Sequence, residues 1–356
     1  MCFPPDARVG PTILAAMNSA SGPAAVPSTD PLSIAAIGGF HVGGRAYRVA
    51  GAPTRIAVFA PGGPARPFDP NGDYVVGQMY VQYVRLARPR APLPLLLWHG
   101  GGMTGVTWED TPDGRPGWQD FFLRAGHDVY VCDAAERGRA AWFPYPGVMP
   151  GEPVLRPLQE MWETFRIGPA AGFADRRPFA GQQFPVAAFD GLARQVVPRW
   201  PGNEAATIAA YDALLDRLGP ADVIAHSQGC GFALGAARGG PGRIARLVLL
   251  EPSGAPDPAT VDLSAAARVP HLAVWGDFFA AHRLWREYRA AFERYAQALR
   301  AAGGQVDVLD LPAMGIHGNS HLPMMDRNGD AVAALVADWL ARHRAAGRLA
   351  NPPTPL

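Results

Sequence analysis

The 356-residue sequence has few cysteines and almost no net charge. Its three cysteines, Cys2, Cys132 and Cys230, show neither a disulfide framework nor metal-ligand spacing. The formal net charge of +1 argues against nucleic acid or an anionic membrane as the main partner. No apolar run approaches the roughly 18–20 residues of a membrane-spanning helix. These absences favour a globular protein that acts on a small molecule.

Glycine and proline are abundant, at 41 and 37 residues, which predicts many turns and long irregular loops. The polar, Pro-rich and Ala-rich residues 1–33 are predicted to form a disordered arm, and residues 348–356 a tail. The stretch PTILAAM is too short for a convincing signal peptide. The sequence therefore slightly favours a cytoplasmic location over export and leaves the compartment open. It also leaves a homodimer open.

Between these ends, over residues 34–347, strand-like and helix-like segments alternate. Short apolar runs such as PLLLWHG and DVYVCDAA are separated by helical segments. This alternation predicts one α/β domain with a mostly parallel sheet, whose ligand site lies at the carboxyl ends of the strands. Residues 137–201 are rich in Pro, Gly and aromatic side chains and are too long for a simple connection. We expect them to form a cap or lid inserted in the domain.

The stretch VIAHSQGCGFAL has the outline of a nucleophile elbow, G-x-S-x-G, in which a serine stands on a sharp turn between a strand and a helix. Ala225 replaces the first glycine, and Gly229 keeps the second. The alternative is that Ser227 merely caps the following helix. The position of Ser227 after a buried strand favours the nucleophile.

A glycine-rich loop, HGGGMTG, follows an earlier predicted strand at His99–Gly105. Backbone N–H groups in such a loop can approach a developing oxyanion without obstruction by a Cβ atom. Gly101 and Gln228, the residue after the serine, are the expected donors. A plain glycine turn is the simpler alternative. A dinucleotide-binding loop starting at Gly100 is weaker, because no well-formed strand–helix–strand unit surrounds it.

A serine hydroxyl needs a base, and a histidine base needs an orienting carboxylate. Two histidines, His317 and His321, follow the last predicted strand. We favour His321, which lies nearer the last helix in a Gly-Asn-Ser turn, while His317 would line the site or support that loop. Glu251 and Asp277 compete as the acid, since each ends a predicted strand. A solvated Glu before a turn is the alternative for Glu251.

Three segments together resemble a known family. HGGGMTGVTWEDTPDGRPGW, AHSQG with EPSG, and GIHGNSHLPMMDRN are similar to bacterial α/β-hydrolase carboxylesterases whose triad acid is a Glu after the sixth strand. The resemblance spans about Ile37 to Arg344, and its most specific part is G-N-S-H followed by D-x-N. It implies an α/β-hydrolase fold with helices on both faces of the sheet, and the following roles: Ser227 nucleophile, Glu251 acid, His321 base, Gly101 and Gln228 oxyanion donors.

The sequence departs from such hydrolases at two places. Relatives can carry adjacent cysteines where this chain has Gly101 and Gly102. Most hydrolases of this fold end the strand near Asp277 with G-D-x-D and use the second Asp as the acid. Here Phe279 stands at that position, so the resemblance transfers the role to Glu251.

We therefore expect a serine esterase that acts through an acyl-enzyme on hydrophobic or aromatic esters, with no metal or organic cofactor. Lactone, amide or carbonate hydrolysis by the same triad, and a non-catalytic ligand-binding role on the same scaffold, are the alternatives. Further residues expected to line the pocket or support the triad are His99, Gly102, Trp108, His226 and His317. The expected aromatic cover is formed by Trp142, Phe143, Tyr145, Trp162 and Phe165.

Overall fold

The computed structural model describes residues 30–145, 147–240 and 242–343. The predicted arm, apart from residues 30–33, and the predicted tail lie outside these residues. The strands are β1 (Ile34–Val49), β2 (Arg55–Ala57), β3 (Arg66–Phe68), β4 (Gly72–Leu86), β5 (Leu95–Trp98), β6 (Val129–Asp133), β7 (Ala221–His226), β8 (Ile244–Leu250), β9 (His271–Trp275) and β10 (Val306–Asp310).

The α-helices are α1 (Trp118–Arg124), α2 (Leu158–Thr164), α3 (Phe189–Gln195), α4 (Glu204–Leu218), α5 (Gln228–Arg238), α6 (Arg283–Ala301) and α7 (Gly329–Arg342). Short 3₁₀ turns cover Gly105–Trp108, Ala170–Gly172, Val186–Ala188, Ala266–Arg268, Phe279–Ala281 and Pro312–Met314. In the described residues, no helix combines the length and the apolar character needed to cross a bilayer.

Eight strands form one sheet in the order β1-β4-β6-β5-β7-β8-β9-β10. The strands from β6 to β10 in this order run parallel, whereas β4 is antiparallel to both β1 and β6. In chain order within this sheet, β5, β7 and β8 are the third, fifth and sixth strands. The predicted α/β class and mostly parallel sheet are confirmed. A separate antiparallel hairpin of β2 and β3 was not predicted.

The inner parallel strands, β5 to β9, are buried on both faces, which explains their largely apolar composition. Successive side chains of β5 point to opposite faces, so Leu95 and Leu97 join one core while Leu96 and Trp98 join the other. Trp98 stacks on Tyr211 of α4 with ring centroids 3.6 Å apart. Each face of the sheet therefore has its own closely packed layer.

Helices α1 and α7 cover the first face, and helices α4, α5 and α6 cover the second. The segment 137–201 also packs on the first face, because Trp162 of α2 and Phe189 of α3 belong to the same core as Leu95 and Leu97. The segment 137–201 thus contributes side chains to the core of the domain. Cys132 and Cys230 are buried in the second core.

A buried ion pair ties the sheet to the last helix. Arg246 of β8 donates from Nε to Asp222 Oδ1 of β7 over 2.6 Å, and from Nη2 to the second oxygen. Its Nη1 donates to the carbonyl of Leu340 in α7. Burial raises the pKa of the Asp222 carboxyl, and the paired guanidinium opposes that shift. The guanidinium therefore satisfies a carboxylate that would otherwise be buried alone.

Replacing Arg246 by Leu should lower the free energy of unfolding by about 3–5 kcal/mol, since the substitution leaves Asp222 buried without its partner. Urea unfolding followed by circular dichroism measures this change. The double variant Arg246→Leu/Asp222→Leu should regain much of the loss, because it removes both charges. A single variant as stable as the parent would show that the ion pair contributes nothing.

Candidate active site

Ser227 occupies the turn between β7 and α5 in a strained conformation, with φ 52° and ψ −116°. Such a conformation costs about 1–3 kcal/mol in a residue other than glycine. The Ser227 N–H donates to the Leu250 carbonyl over 2.9 Å, and its carbonyl accepts from Cys230 N over 3.0 Å. A Cβ atom on Gly229 would lie 2.6 Å from the His99 carbonyl oxygen. The elbow therefore requires Gly229, two residues after the serine, while Ala225, two residues before it, fits in the buried strand.

His321 lies between Ser227 and Glu251. Its Nε2 is 2.9 Å from Ser227 Oγ, and its Nδ1 is 3.3 Å from Glu251 Oε2. The neutral tautomer with its proton on Nδ1 donates to the carboxylate and leaves Nε2 to accept from the serine hydroxyl. Ser227 is 9% exposed, and His321 and Glu251 are more deeply buried. The structure thus brings these three sequence-predicted residues together.

Glu251 follows β8 with a positive φ of 53°. Its Oε1 accepts from the Gly276 N–H, and its Oε2 accepts from Arg166 Nη2 over 2.7 Å. The competing acid, Asp277, accepts instead from the N–H groups of Phe278 and Gly318. Among the described residues, no hydrogen bond or ion pair joins Asp277 to His321. Asp277 therefore fixes the loop before His321, and Glu251 contacts the imidazole.

Sequence reasoning missed Arg166, a fully buried residue of the segment 137–201. Besides its ion pair with Glu251, it donates from Nε to the Asp277 carbonyl over 2.8 Å. Its guanidinium lies 4.1 Å from the ring centroid of Phe279 and 5.0 Å from that of Trp285. Phe279, at the usual position of the acid, thus packs against the cation that pairs with Glu251. In the sequence, Arg166 stands between Phe165 and Ile167, and no local motif marks it.

The same segment holds the His321 backbone and ring. The His321 N–H donates to the Phe165 carbonyl over 2.9 Å, and the Phe165 ring stacks on the imidazole at 5.8 Å. Trp285 lies 4.0 Å from the imidazole centroid and donates from Nε1 to the Thr164 carbonyl over 2.6 Å. His226 donates from Nε2 to the His321 carbonyl over 2.8 Å. Aromatic and polar contacts therefore fix the imidazole on several sides.

The D-x-N pattern after His321 holds together the loop that carries His321. Asp326 accepts from Ser320 N over 2.8 Å, from Ser320 Oγ over 2.7 Å and from Asn319 Nδ2 over 2.9 Å. Asn328 exchanges hydrogen bonds with Asn319. Burial raises the pKa of Asp326 to about 7, although the donated hydrogen bonds pull it down. The pattern singled out in the sequence thus has a structural reason.

Burial also sets the protonation state of the imidazole. It lowers the pKa of His321 well below its ordinary value, and the nearby cations Arg166 and Arg156 and the ring of His282 lower it further. The imidazole of His321 is therefore held more readily in its neutral form, which can accept a proton, than a free histidine.

The glycine-rich loop lies directly against the elbow. A Cβ atom on Gly100 would lie 2.6 Å from His226 Nδ1 and 3.1 Å from Ser227 Cβ, so only glycine fits there. Gly102 has φ 71°, and its carbonyl accepts from Val197 N over 2.8 Å. Among the described residues, neither the Gly101 N–H nor the Gln228 N–H donates a backbone hydrogen bond. These two amides thus take no part in the backbone hydrogen bonds that hold the elbow and the glycine-rich loop.

The other residues expected around the pocket have different environments. His99 is buried, with Nδ1 2.8 Å from the Gly100 carbonyl and Nε2 accepting from Ala134 N over 3.1 Å. Burial lowers the pKa of His99 to about 4, so it supports the loop as a neutral ring. Trp108 is buried in the core beside Trp118. His317 is exposed, with Nδ1 3.7 Å from an oxygen of Asp277, so it lies against the supporting loop.

The sheet order, with a serine on a strained turn after the fifth strand, is that of an α/β hydrolase. No family model matches the chain. A solved structure, described as a novel bacterial esterase, is 33% identical with a TM-score of 0.78, and the match covers 90% of this chain and 99% of that one. A probable secreted lipase, phiG, of Fungal sp. (strain ATCC 74256) is 28% identical over 334 residues, which are 76% of this chain and 88% of the lipase. The chain belongs to the α/β-hydrolase esterases and is a carboxylic ester hydrolase.

Replacing Asp326 by Asn should lower kcat for a p-nitrophenyl ester by about tenfold or more, because the new amide presents its N–H groups to the donors of Ser320 and Asn319 and displaces the His321 loop. Steady-state kinetics measures the change. Asp330→Asn is the matched control, since Asp330 is exposed four residues further on. Equal kcat values for Asp326→Asn and the parent would contradict this role.

Replacing Arg166 by Gln should move the acid limb of the kcat/KM profile to higher pH. Loss of the cation stabilises the His321 imidazolium, so the imidazole pKa rises and the neutral base is lost at a higher pH. Arg156→Gln should shift the limb in the same direction by less, because Arg156 is partly exposed. Circular dichroism controls for folding. A limb that stays in place, or moves to lower pH, in folded Arg166→Gln would refute the assignment.

Proposed function

We propose that the chain is a serine esterase in which Ser227 is the nucleophile, His321 the base and Glu251 the acid. The observation that carries the proposal is the continuous contact from Ser227 Oγ to His321 Nε2, at 2.9 Å, and from His321 Nδ1 to Glu251, at 3.3 Å. Ser227 Oγ attacks the ester carbonyl while His321 Nε2 takes the hydroxyl proton. The resulting imidazolium then protonates the leaving alcohol, and water cleaves the acyl-enzyme by the same proton transfers in reverse order.

Gly101 and Gln228 are the proposed oxyanion donors. Gln228 directly follows the serine, and a Cβ atom on Gly101 would lie 2.8 Å from Gln228 Oε1. Neither N–H group has a backbone acceptor in the described part of the chain, which supports this role. Donors that are already oriented stabilise the charge of the tetrahedral intermediate without reorganising. The hydrogen bond from Val197 to Gly102 holds the loop that presents the first donor.

Glu251 holds the imidazole in the tautomer that accepts from Ser227 and stabilises the imidazolium that forms. A buried carboxylate needs a partner in both protonation states of the histidine. Arg166 and the Gly276 N–H supply it, which supports Glu251 as the group that orients the imidazole.

The residues 137–201 are proposed to cover the site, and the substrate is proposed to be a hydrophobic or aromatic ester. Support comes from the rings of Phe165 and Trp285, which lie against His321. Of the predicted aromatic cover, Trp162 belongs to the core and Trp142 is exposed and stacks on Trp200. Of the predicted cover residues in the described part of the chain, it is thus Phe165 whose ring contacts His321, the proposed base. An apolar wall at the reacting atoms favours apolar substrate groups.

Ser227→Ala should lower kcat for p-nitrophenyl butyrate by roughly 10³-fold or more without unfolding the protein, because it removes the atom that forms the acyl-enzyme. Labelling with a fluorophosphonate, read by intact-mass spectrometry, should also be lost. Retained turnover in Ser227→Ala would refute the mechanism.

The acid is tested by the pair Glu251→Gln and Asp277→Asn. We expect Glu251→Gln to lose roughly 10²–10⁴-fold in kcat, because the imidazole loses its orienting carboxylate, and Asp277→Asn to lose far less. The opposite order would assign the acid to Asp277. Matched ester, lactone and amide substrates assayed with the parent enzyme define the scissile bond that the triad prefers.

A further inference from the structure

Arg199, near the end of the segment 137–201, has a firmly held backbone. Its N–H donates to the Val154 carbonyl over 3.1 Å, and its carbonyl accepts from Val154 N over 2.7 Å. The next N–H, of Trp200, donates over 3.0 Å to Oε2 of the buried Glu136. These backbone hydrogen bonds therefore fix the position from which the Arg199 side chain extends.

The Arg199 side chain reaches the glycine-rich loop. A Cβ atom placed on Gly101 would lie 2.6 Å from Arg199 Nη1 and 2.8 Å from Gln228 Oε1. Gly101 and Gln228 are the residues whose N–H groups are the proposed oxyanion donors. The guanidinium therefore lies close to the loop that carries the first proposed oxyanion donor.

In the described part of the chain, Arg199 has no carboxylate partner, unlike the buried arginines. Arg137, Arg166 and Arg246 pair with Glu136, Glu251 and Asp222, respectively. In residues 30–145, 147–240 and 242–343, no carboxylate forms an ion pair with Arg199, and its guanidinium makes no hydrogen bond. A half-buried cation without a carboxylate partner is a favourable binding site for an anionic ligand.

The surrounding charges leave that position electropositive. Burial and the cations Arg156 and Arg137 lower the pKa of Arg199, while Tyr288 and Glu136 act in the opposite direction. Because Glu136 already pairs with Arg137, it does not neutralise Arg199. The guanidinium keeps its charge at any pH at which an esterase works.

We propose that Arg199 binds a carboxylate of the substrate, so that the esters hydrolysed by this enzyme carry an anionic group on an otherwise apolar body. The inference rests on the proposed function of Ser227 and its oxyanion donors. A guanidinium presents two parallel N–H groups that match a carboxylate. The apolar contacts of Phe165 and Trp285 then suit the body of the same substrate.

Two matched pairs of esters test the inference and distinguish the two ends of the substrate. Phenyl hydrogen adipate and phenyl adipamate differ by a carboxylate on the acyl side. Para-acetoxybenzoate and para-acetoxybenzamide differ by a carboxylate on the alcohol side. In at least one pair, kcat/KM for the anionic ester should exceed that for the neutral ester by about tenfold or more, mainly through KM.

In Arg199→Gln this ratio should fall to near one. Arg194→Gln is the matched control, because it removes an equal charge from an exposed position in α3 and should keep the ratio. A parent enzyme that hydrolyses both members of each pair equally well would overturn the inference. So would an Arg199→Gln variant that loses kcat equally on neutral and anionic esters, since this result would make Arg199 an oxyanion donor.

These outcomes remain separable from failure of the proposed function. If Ser227→Ala hydrolyses the esters as well as the parent, the mechanism itself is wrong. A parent enzyme that turns over p-nitrophenyl butyrate but neither anionic ester overturns the inference about Arg199 alone. A parent enzyme that shows no charge preference, but whose turnover depends on Ser227, refutes only the role of Arg199.

Discussion

The buried ion pair between Arg166 and Glu251 is the contact on which the arrangement of the site depends. The Glu251 carboxylate stands at the end of β8, and not at the end of the neighbouring strand β9. It is fully buried. Desolvating such a charge costs several kcal/mol unless a partner is present. The partner comes from a distant part of the chain and packs on Phe279, the side chain that occupies the usual acid position. The proposed acid, Glu251, and the segment 137–201 therefore form one structural unit.

Two residues at the ends of adjacent strands share a backbone conformation that is rare outside glycine. Ser227 has φ 52° after β7, and Glu251 has φ 53° after β8. Each is held by hydrogen bonds across the sheet, to Leu250 and to Val274. Since these strands are buried on both faces, their ends are rigid supports. The sheet thus holds the proposed nucleophile and acid in strained positions that a loop alone would not maintain.

Local patterns predicted most of the fold and much of the site, because apolar runs define the strands and strand ends define where Ser227 and Glu251 stand. The hairpin of β2 and β3 was missed since its strands have three residues each and little apolar alternation. Arg166 was missed for another reason. It pairs with a residue 85 positions away, and no local periodicity encodes such a contact. Trp108 was expected to line the pocket, but its ring packs in the core against Trp118.

The segment 137–201 contacts both halves of the proposed machinery. The Phe165 carbonyl binds the His321 backbone, and the Val197 N–H binds Gly102 in the glycine-rich loop. A cover that only excluded solvent could swing away and leave the reacting groups unchanged. Here the outward movement of the whole segment would release the base loop and the anion-binding loop together. If the segment covers the site as proposed, access to the serine and the catalytic geometry are mechanically coupled. Shortening the segment to admit larger esters would then also remove contacts that hold both loops.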